Sequence, residues 1–360
     1  MGELRVSRRS GVLLLAALVL GVAVVAVKPL SAAETNAYRV TPLVSDQPGV
    51  APNTDPNLVN AWGLTSSPTS PWWVSDNGTD KSTLYRGSDG QPQPQPTPLV
   101  VGVASAPTGT VFNPTTAFTL PTGGKAVFIF STEDGGILGW NGAQGMTAFL
   151  KKDRSDVGAV YKGLAIADTS AGPRLYATDF HNARVDVYDG NWALVPDSGF
   201  VDPSIPSGYG PFGIQTIGDR VFVTYAKQDV DAHDDVAGQG LGFVDVYDTA
   251  GNLLGRVAQH GQLNSPWGLA LAPASFGRFA GDLLVGNFGD GNINAYEELG
   301  NGHFAHRGEL RDGSGKALTI DGLWALQFGQ GGSNGPAGTL FFTAGPDGES
   351  HGLFGQINAG

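Results

Sequence analysis

Within seven residues the chain places four carboxylates and an imidazole: Asp229, Asp231, His233, Asp234 and Asp235. Oxygen clusters of this kind suit a hard cation such as Ca2+, which takes roughly six to eight oxygen ligands and tolerates irregular geometry. The DxDxxDD order departs from the DxDxDG order of an EF-hand loop and has no closing glutamate, so that motif is rejected. Like charges this close repel one another. The segment therefore reads as a solvated lid, as a Ca2+-ordered loop or as a lid that gates a ligand, with Gly238, Gly240 and Gly242 as its hinge.

Other polar residues fall at similar places in their local patterns. Asp76, Glu133, Asp179 with His181, Asn287 and His351 follow or end apolar runs, while Asn60, Asn113, Lys162 and Asp321 stand where the next apolar run begins. If the protein is an enzyme, His181, Asp179 and Glu133 are its candidate acid–base groups. Asn60, Asp76, Asn113, Lys162, Asn287, Asp321 and His351 are the candidate ligand-binding set, and Asp229, Asp231, Asp234 and Asp235 the candidate metal ligands. Asp, Asn and Gly also favour tight turns for backbone reasons alone, which is the competing account of every one of these positions. Nucleophile elbows, P-loops and HExxH are absent, and GDGNIN and GGSNG are turns because no helix follows them.

Positioning so many loops around one site calls for a repeated scaffold. The phrases NAWGLTSS, PTTAFTLP, YKGLAIAD, PFGIQTIG, SPWGLALA and DGLWALQF each open a unit, followed by a second apolar strand ending in polar residues and then a third strand. The units recur every roughly 46 to 56 residues, close to the periods of β-propeller blades. Short strands bounded by Gly, Asn, Asp and Pro, with no long window of helical period, predict an all-β fold. The sixth unit lacks a fourth strand, and AYRVTPLVSD is a strand without a unit. Their pairing would close a six-bladed β-propeller and remove two exposed edges. The loops after each second strand then share the top face, around the axial channel. Trp62, Trp267 and Trp324 recur at inner-strand starts and are expected to pack between blades or line the shaft.

RVSRRS, GVLLLAALVLGVAVVAV and KPLSAAE read as the basic, apolar and cleavage regions of an export signal over residues 1–33, cut after Ala33, with an uncleaved anchor as the alternative because the apolar run is near spanning length; 34–360 is then a single propeller domain. The expected location is secreted or cell-envelope, without stable membrane association once the signal is cut. The mature chain keeps 17 Lys and Arg against 32 Asp and Glu, a net charge of about −15. That sign disfavours nucleic acid and anionic membranes. With Cys 0, disulfides, thiolate nucleophiles and thiolate metal sites are excluded. A monomer binding a small molecule or protein ligand is expected.

The phrases YRVTPLVSD, DPNLVNAWGL, WWVSDNGT, YAKQDVDAHDDVAG and GFVDVYDTAGNLL resemble an uncharacterised family of exported bacterial proteins across the mature chain. More distantly, the arrangement is similar to the NHL and SMP-30/gluconolactonase-like six-bladed propellers, whose members include Ca2+-dependent lactonases, metal-assisted lyases and binding scaffolds. That likeness implies fold, not function. Two functions stay open: a binding or interaction propeller that uses its top face, with or without a Ca2+ ion, and a divalent-metal-dependent hydrolase or lyase at the channel mouth.

Overall fold

The computed structural model describes residues 1–2, 35–94, 97–300 and 302–360. The expected export signal, residues 1–33, lies outside the described residues apart from its first two. Thr35–Gly360 forms one compact unit. Among the described residues there is no α-helix, and no helix is long and apolar enough to cross a membrane.

Strands of this unit form six sheets that stand as the blades of a propeller, antiparallel apart from the short strand Asn53–Thr54, which pairs parallel with Tyr38–Ser45 at the outer edge of the sixth. The inner strands are Ala61–Thr65, Pro107–Phe112, Tyr161–Thr169, Tyr209–Ile217, Pro266–Leu271 and Leu323–Phe328. Each runs into contact with the next, and the sixth returns to the first, which closes the ring. Blade 6 borrows its outer strand from the amino-terminal segment, as expected: Tyr38–Ser45 pairs antiparallel with Leu353–Ala359, from Tyr38 opposite Ala359 to Ser45 opposite Leu353. The Tyr38 hydroxyl also donates to the Phe276 carbonyl in blade 5, at 3.0 Å, so the closing strand is pinned to the neighbouring blade.

A six-fold position explains why the inner strands approach so closely. Trp62, Thr108, Lys162, Phe212, Trp267 and Trp324 occupy equivalent places, all buried, and five of them are followed by glycine. A Cβ on Gly213 would lie 2.1 Å from the Trp267 carbonyl oxygen, and one on Gly268 2.4 Å from that of Trp324. Backbone therefore meets backbone from blade to blade, which no side chain permits. Hydroxyls tie the same level together: Thr178 Oγ1 donates to the Phe212 carbonyl at 2.7 Å, and Thr343 Oγ1 donates to the Trp62 carbonyl across the ring closure.

Two expected strands fall elsewhere. In blade 2 the inner strand is Pro107–Phe112 and not the PTTAFTLP segment, so Asn113 follows the far end of that strand instead of opening it. The Asn113 side chain folds back on its own loop, accepting from Thr115 N at 3.0 Å and donating to the carbonyls of Ala117 and Ala126. PTGTVF escaped notice because hydroxyls and glycine replace the aliphatic residues of the other inner strands, while the Asx turn at Asn113 mimics a strand start. Blade 3 has three strands, and ALVPDSGF contributes only a single bridge, Leu194 opposite Tyr188.

Candidate functional site

Each second strand ends opposite the start of its inner strand: Asp76 faces Ala61, Thr132 faces Pro107, Asp179 faces Tyr161, Lys227 faces Tyr209, Asn287 faces Pro266, and Ala344 faces Leu323. These ends define the top face. Side chains alternate along a strand, so the last residue of the second strand and the one after it point in different directions. Asn77, Glu133, Phe180 and Phe288, one position beyond the strand end, turn toward the shaft. Asp76, Asp179 and Asn287, at the strand end itself, turn into the body of their blades.

Partners of these last three confirm the direction. Asp76 is fully buried and its Oδ1 accepts from Thr83 Oγ1 at 3.2 Å within blade 1, while Oδ2 has no hydrogen-bond partner among the described residues. Desolvation, reinforced by the charge of Asp55, holds its carboxyl well above the usual carboxylate range despite the Thr83 hydrogen bond. Asp179 accepts from Val160 N at 3.3 Å and from Asn182 Nδ2 at 2.8 Å, and burial raises its pKa as well. Asn287 donates to the Gln262 carbonyl and to Asp290. The expected placement of Asp76, Asp179 and Asn287 around the channel is therefore corrected by one residue of register.

At the shaft itself the two sides of the mouth differ. On one side it is aromatic, with rings from blades 1, 4, 5 and 6: Trp62 and Trp324 stack at 3.5 Å between ring centroids, Phe288 stacks on Trp324 at 4.0 Å, and Trp267 and Phe212 meet Trp324 edge-on. The three tryptophans thus line and fill the shaft. Around Lys162 it is polar and charged. The Lys162 ammonium, on a residue only 1% exposed, is bonded to Glu133 Oε1, lies 3.0 Å from Asp234 Oδ1, and sits 5.3 Å from the Trp62 ring centroid. Asn77 Nδ2 donates to Glu133 Oε2 at 2.9 Å, and Asn60 Nδ2 donates to Asn77 Oδ1 at 3.1 Å and to Glu349 Oε2 at 2.7 Å. Asn60 Oδ1 accepts from Trp324 Nε1 at 3.1 Å, joining the polar network to the aromatic stack.

Electrostatics follow from this geometry. Burial works against the Lys162 charge, but Glu133 and Asp234 outweigh it and its pKa is raised, so it is an ammonium at neutral pH. The Asp234 carboxyl is lowered: desolvation opposes the shift, and Lys162 and His233 overcome it. Glu349 is raised by burial, with the Asn60 hydrogen bond countering and Glu133 adding repulsion. Asn60 and Glu349 both hold left-handed backbone, at φ 48° and 67°, which a residue with a Cβ adopts at a penalty.

The acidic loop does not gather as a four-carboxylate cage. Asp229 Oδ1 accepts from His233 N at 2.9 Å and so caps the turn, Asp231 is exposed, Asp234 reaches Lys162, and Asp235 Oδ2 is buried. His233 Nδ1 lies 3.0 Å from Asp234 Oδ1, and ligand atoms of Glu133, His233 and Asp234 all lie within 4.8 Å of one another. The remaining candidates are apart from this centre. His181 is exposed, Asp321 Oδ2 accepts from Asp347 N at 2.8 Å, and His351 Nδ1 lies 2.8 Å from Asp46 Oδ2 beside the closing strand. Asn77 and Glu349 were not anticipated. Asn77 was within reach of a one-residue register argument, but Glu349 meets Asn60 across 289 positions and left no local signal.

Beside the cluster, a cleft of about 460 Å3 lies over blade 2 and its connection to blade 3. Glu133 forms one wall, and His233 reaches in from the blade 4 loop. Leu138, Leu150, Ala159 and Val160 make the cleft largely apolar inside.

This is a six-bladed β-propeller with an ammonium-bridged polar cluster at the mouth of an aromatic shaft. The soluble aldose sugar dehydrogenase of Escherichia coli, in its apo form, has a similar fold, with a TM-score of 0.54 and 11% identity over 90% of this chain and 100% of that one. No protein-family model matches the chain. An uncharacterized protein of Acanthamoeba polyphaga mimivirus is 31% identical over 332 residues, 89% of this chain and 80% of the relative, and a second is 30% identical over 316 residues, 80% and 78%. The chain belongs to the family of these proteins. Both are viral, so the expected bacterial setting has no support from them.

Proposed function

We propose that the protein is an exported binding propeller that takes a small ligand on its top face, in the cleft over blade 2. The observation that carries this reading is the Lys162–Glu133–Asp234 cluster, its ammonium held between two carboxylates, beside a cleft whose lining is more apolar than polar. Ligand pockets combine apolar walls with a few fixed polar groups, and a side chain whose own partners hold it in place is pre-organised to present such a group.

A divalent-metal-dependent hydrolase or lyase is the second reading, supported by the closeness of Glu133, His233 and Asp234. The ammonium counts against it. Lys162 already bonds the oxygens of Glu133 and Asp234 that a metal would share, and moving a buried ammonium away from both carboxylates would strand charge.

A thermal-shift screen of a metabolite library against the full chain and Ala104→Trp separates the outcomes. Ala104 is exposed and lines the cleft, so the indole would fill it without disturbing the core. The expected result is a ligand whose stabilisation is lost in the variant; stabilisation unchanged by the indole would move the site elsewhere. Calorimetric titration with Ca2+, Mn2+ and Zn2+ tests the second reading, and heat that disappears in Glu133→Gln would favour it.

A further inference from the structure

We infer that the cleft over blade 2 selects a small organic cation, an ammonium group carried on an apolar body. The inference rests on the proposal that this cleft is the binding site, and goes further by naming the ligand's chemistry.

The lining of the cavity is mixed. Leu138, Leu150, Ala159 and Val160 supply apolar surface that suits a hydrocarbon body. Its polar lining carries the carboxylates of Glu133, Asp134 and Asp153, and no lysine or arginine lines it. Asp153 is ionised at neutral pH, because the Ser155 hydroxyl and backbone N–H hold its carboxyl below the usual range. Two neighbouring cations are already paired. Lys162 is held by Glu133 and Asp234, and Arg154 lies 3.7 Å from Asp156 and 3.8 Å from Asp186. An anionic ligand would enter against Asp134 and Asp153 with no lysine or arginine in the lining to meet it, and a neutral one would gain at most a hydrogen bond from them. A cation gains Coulomb attraction from the carboxylates and burial of its body against the apolar lining. The formal net charge of −12 adds a field that draws cations toward the surface.

Isothermal titration of the full chain with n-hexylammonium, n-hexanol and hexanoate reads the selectivity directly, since the three share a body and differ in charge. The expected order is ammonium tightest, alcohol weaker by about tenfold or more, and hexanoate weakest. The double variant Asp134→Asn, Asp153→Asn should bring hexylammonium down to the level of hexanol, and added salt should weaken the ammonium alone. Ala104→Trp should abolish binding of all three. If hexanol or hexanoate binds as tightly as hexylammonium, and Ala104→Trp removes that binding, the cleft stands as a site and cation selectivity is overturned. If hexylammonium binds equally to Ala104→Trp, the cleft itself is the wrong site. Absence of binding by every probe overturns the selectivity proposed, while the library screen judges the cleft independently.

Discussion

Asp76 and Glu133 are acids at matching ends of the second strands of neighbouring blades, one register step apart, and their surroundings are opposite. Asp76 ends its strand and points into blade 1, fully buried, with a hydroxyl for one oxygen and no partner for the other. Glu133 follows its strand and points to the shaft, where Lys162 meets one oxygen and Asn77 the other. Burial without a counter-ion thus disfavours the charged form of one carboxyl, whereas an ammonium and an amide give the other fixed partners at the shaft. The residue type is common to both places; the direction imposed by the pleat decides which it becomes.

The largest expected effect breaks the charged member of the pair. Lys162→Met keeps the stem that packs in the shaft but strands Glu133 and Asp234. Removing one partner of a buried pair typically costs about 3 to 5 kcal/mol, and the lower end applies here because Asp234 is 66% exposed and water screens its share. Urea unfolding at neutral pH measures the loss. Acid should narrow the gap to the parent protein, since protonating stranded carboxylates removes the uncompensated charge. A loss under about 1 kcal/mol, unaffected by acid, would mean the cluster does not depend on its ammonium.

A smaller effect of opposite sign is expected at Asp76. Its folded pKa is raised, so the folded state holds a proton that the unfolded chain releases near the usual carboxylate value. The stability associated with that proton is complete below the unfolded pKa and declines as pH rises above it. Asp76→Asn is neutral at every pH and escapes the decline, so it should exceed the parent at neutral pH by about 1 kcal/mol and lose that advantage in acid. Equal pH profiles for the two proteins between about pH 4 and pH 8 would show that Asp76 is ionised where it lies.

How much of this could be read in advance follows from how local each signal is. The blades were legible because an apolar run with a glycine or small residue near its start recurs along the chain, and the closing strand because an unpaired strand and a short last blade need each other. Blade 2 was misregistered where Thr108, Gly109 and Thr110 replace the usual aliphatic pattern. Glu133, Lys162 and Asp234 were all among the candidates, but their convergence was not legible, since Lys162 meets its partners across 29 and 72 positions. Nor could apolar periodicity fix which of two consecutive residues at a strand end, such as Asp76 and Asn77, faces the shaft. That choice depends on where the inner strand's bulge sets the register, and the pairing shifts between Ala61 and Leu64.

The mildest change separates the latch from the cluster it covers. Asp234 is the exposed member of the ammonium's pair of carboxylates and belongs to the loop that arches over Lys162, where Asp229 N donates to the Asp234 carbonyl at 2.9 Å and Val236 N to the Lys227 carbonyl at 2.8 Å. Asp234→Ala deletes its side-chain contacts to Lys162 and His233 but leaves Glu133 bound to the ammonium. The stability loss should be small, about 0.5 to 1 kcal/mol, as for other solvent-exposed ion pairs. Hydrogen exchange is the sensitive readout, because the loop is held by few buried contacts and opens locally. Faster exchange at the amides of Ala232 and Val236, with the blade 2 strands unchanged, would make Asp234 the fastening of a lid. Unchanged exchange throughout would show that the loop's own turn hydrogen bonds suffice, leaving Glu133 as the carboxylate on which the Lys162 charge depends.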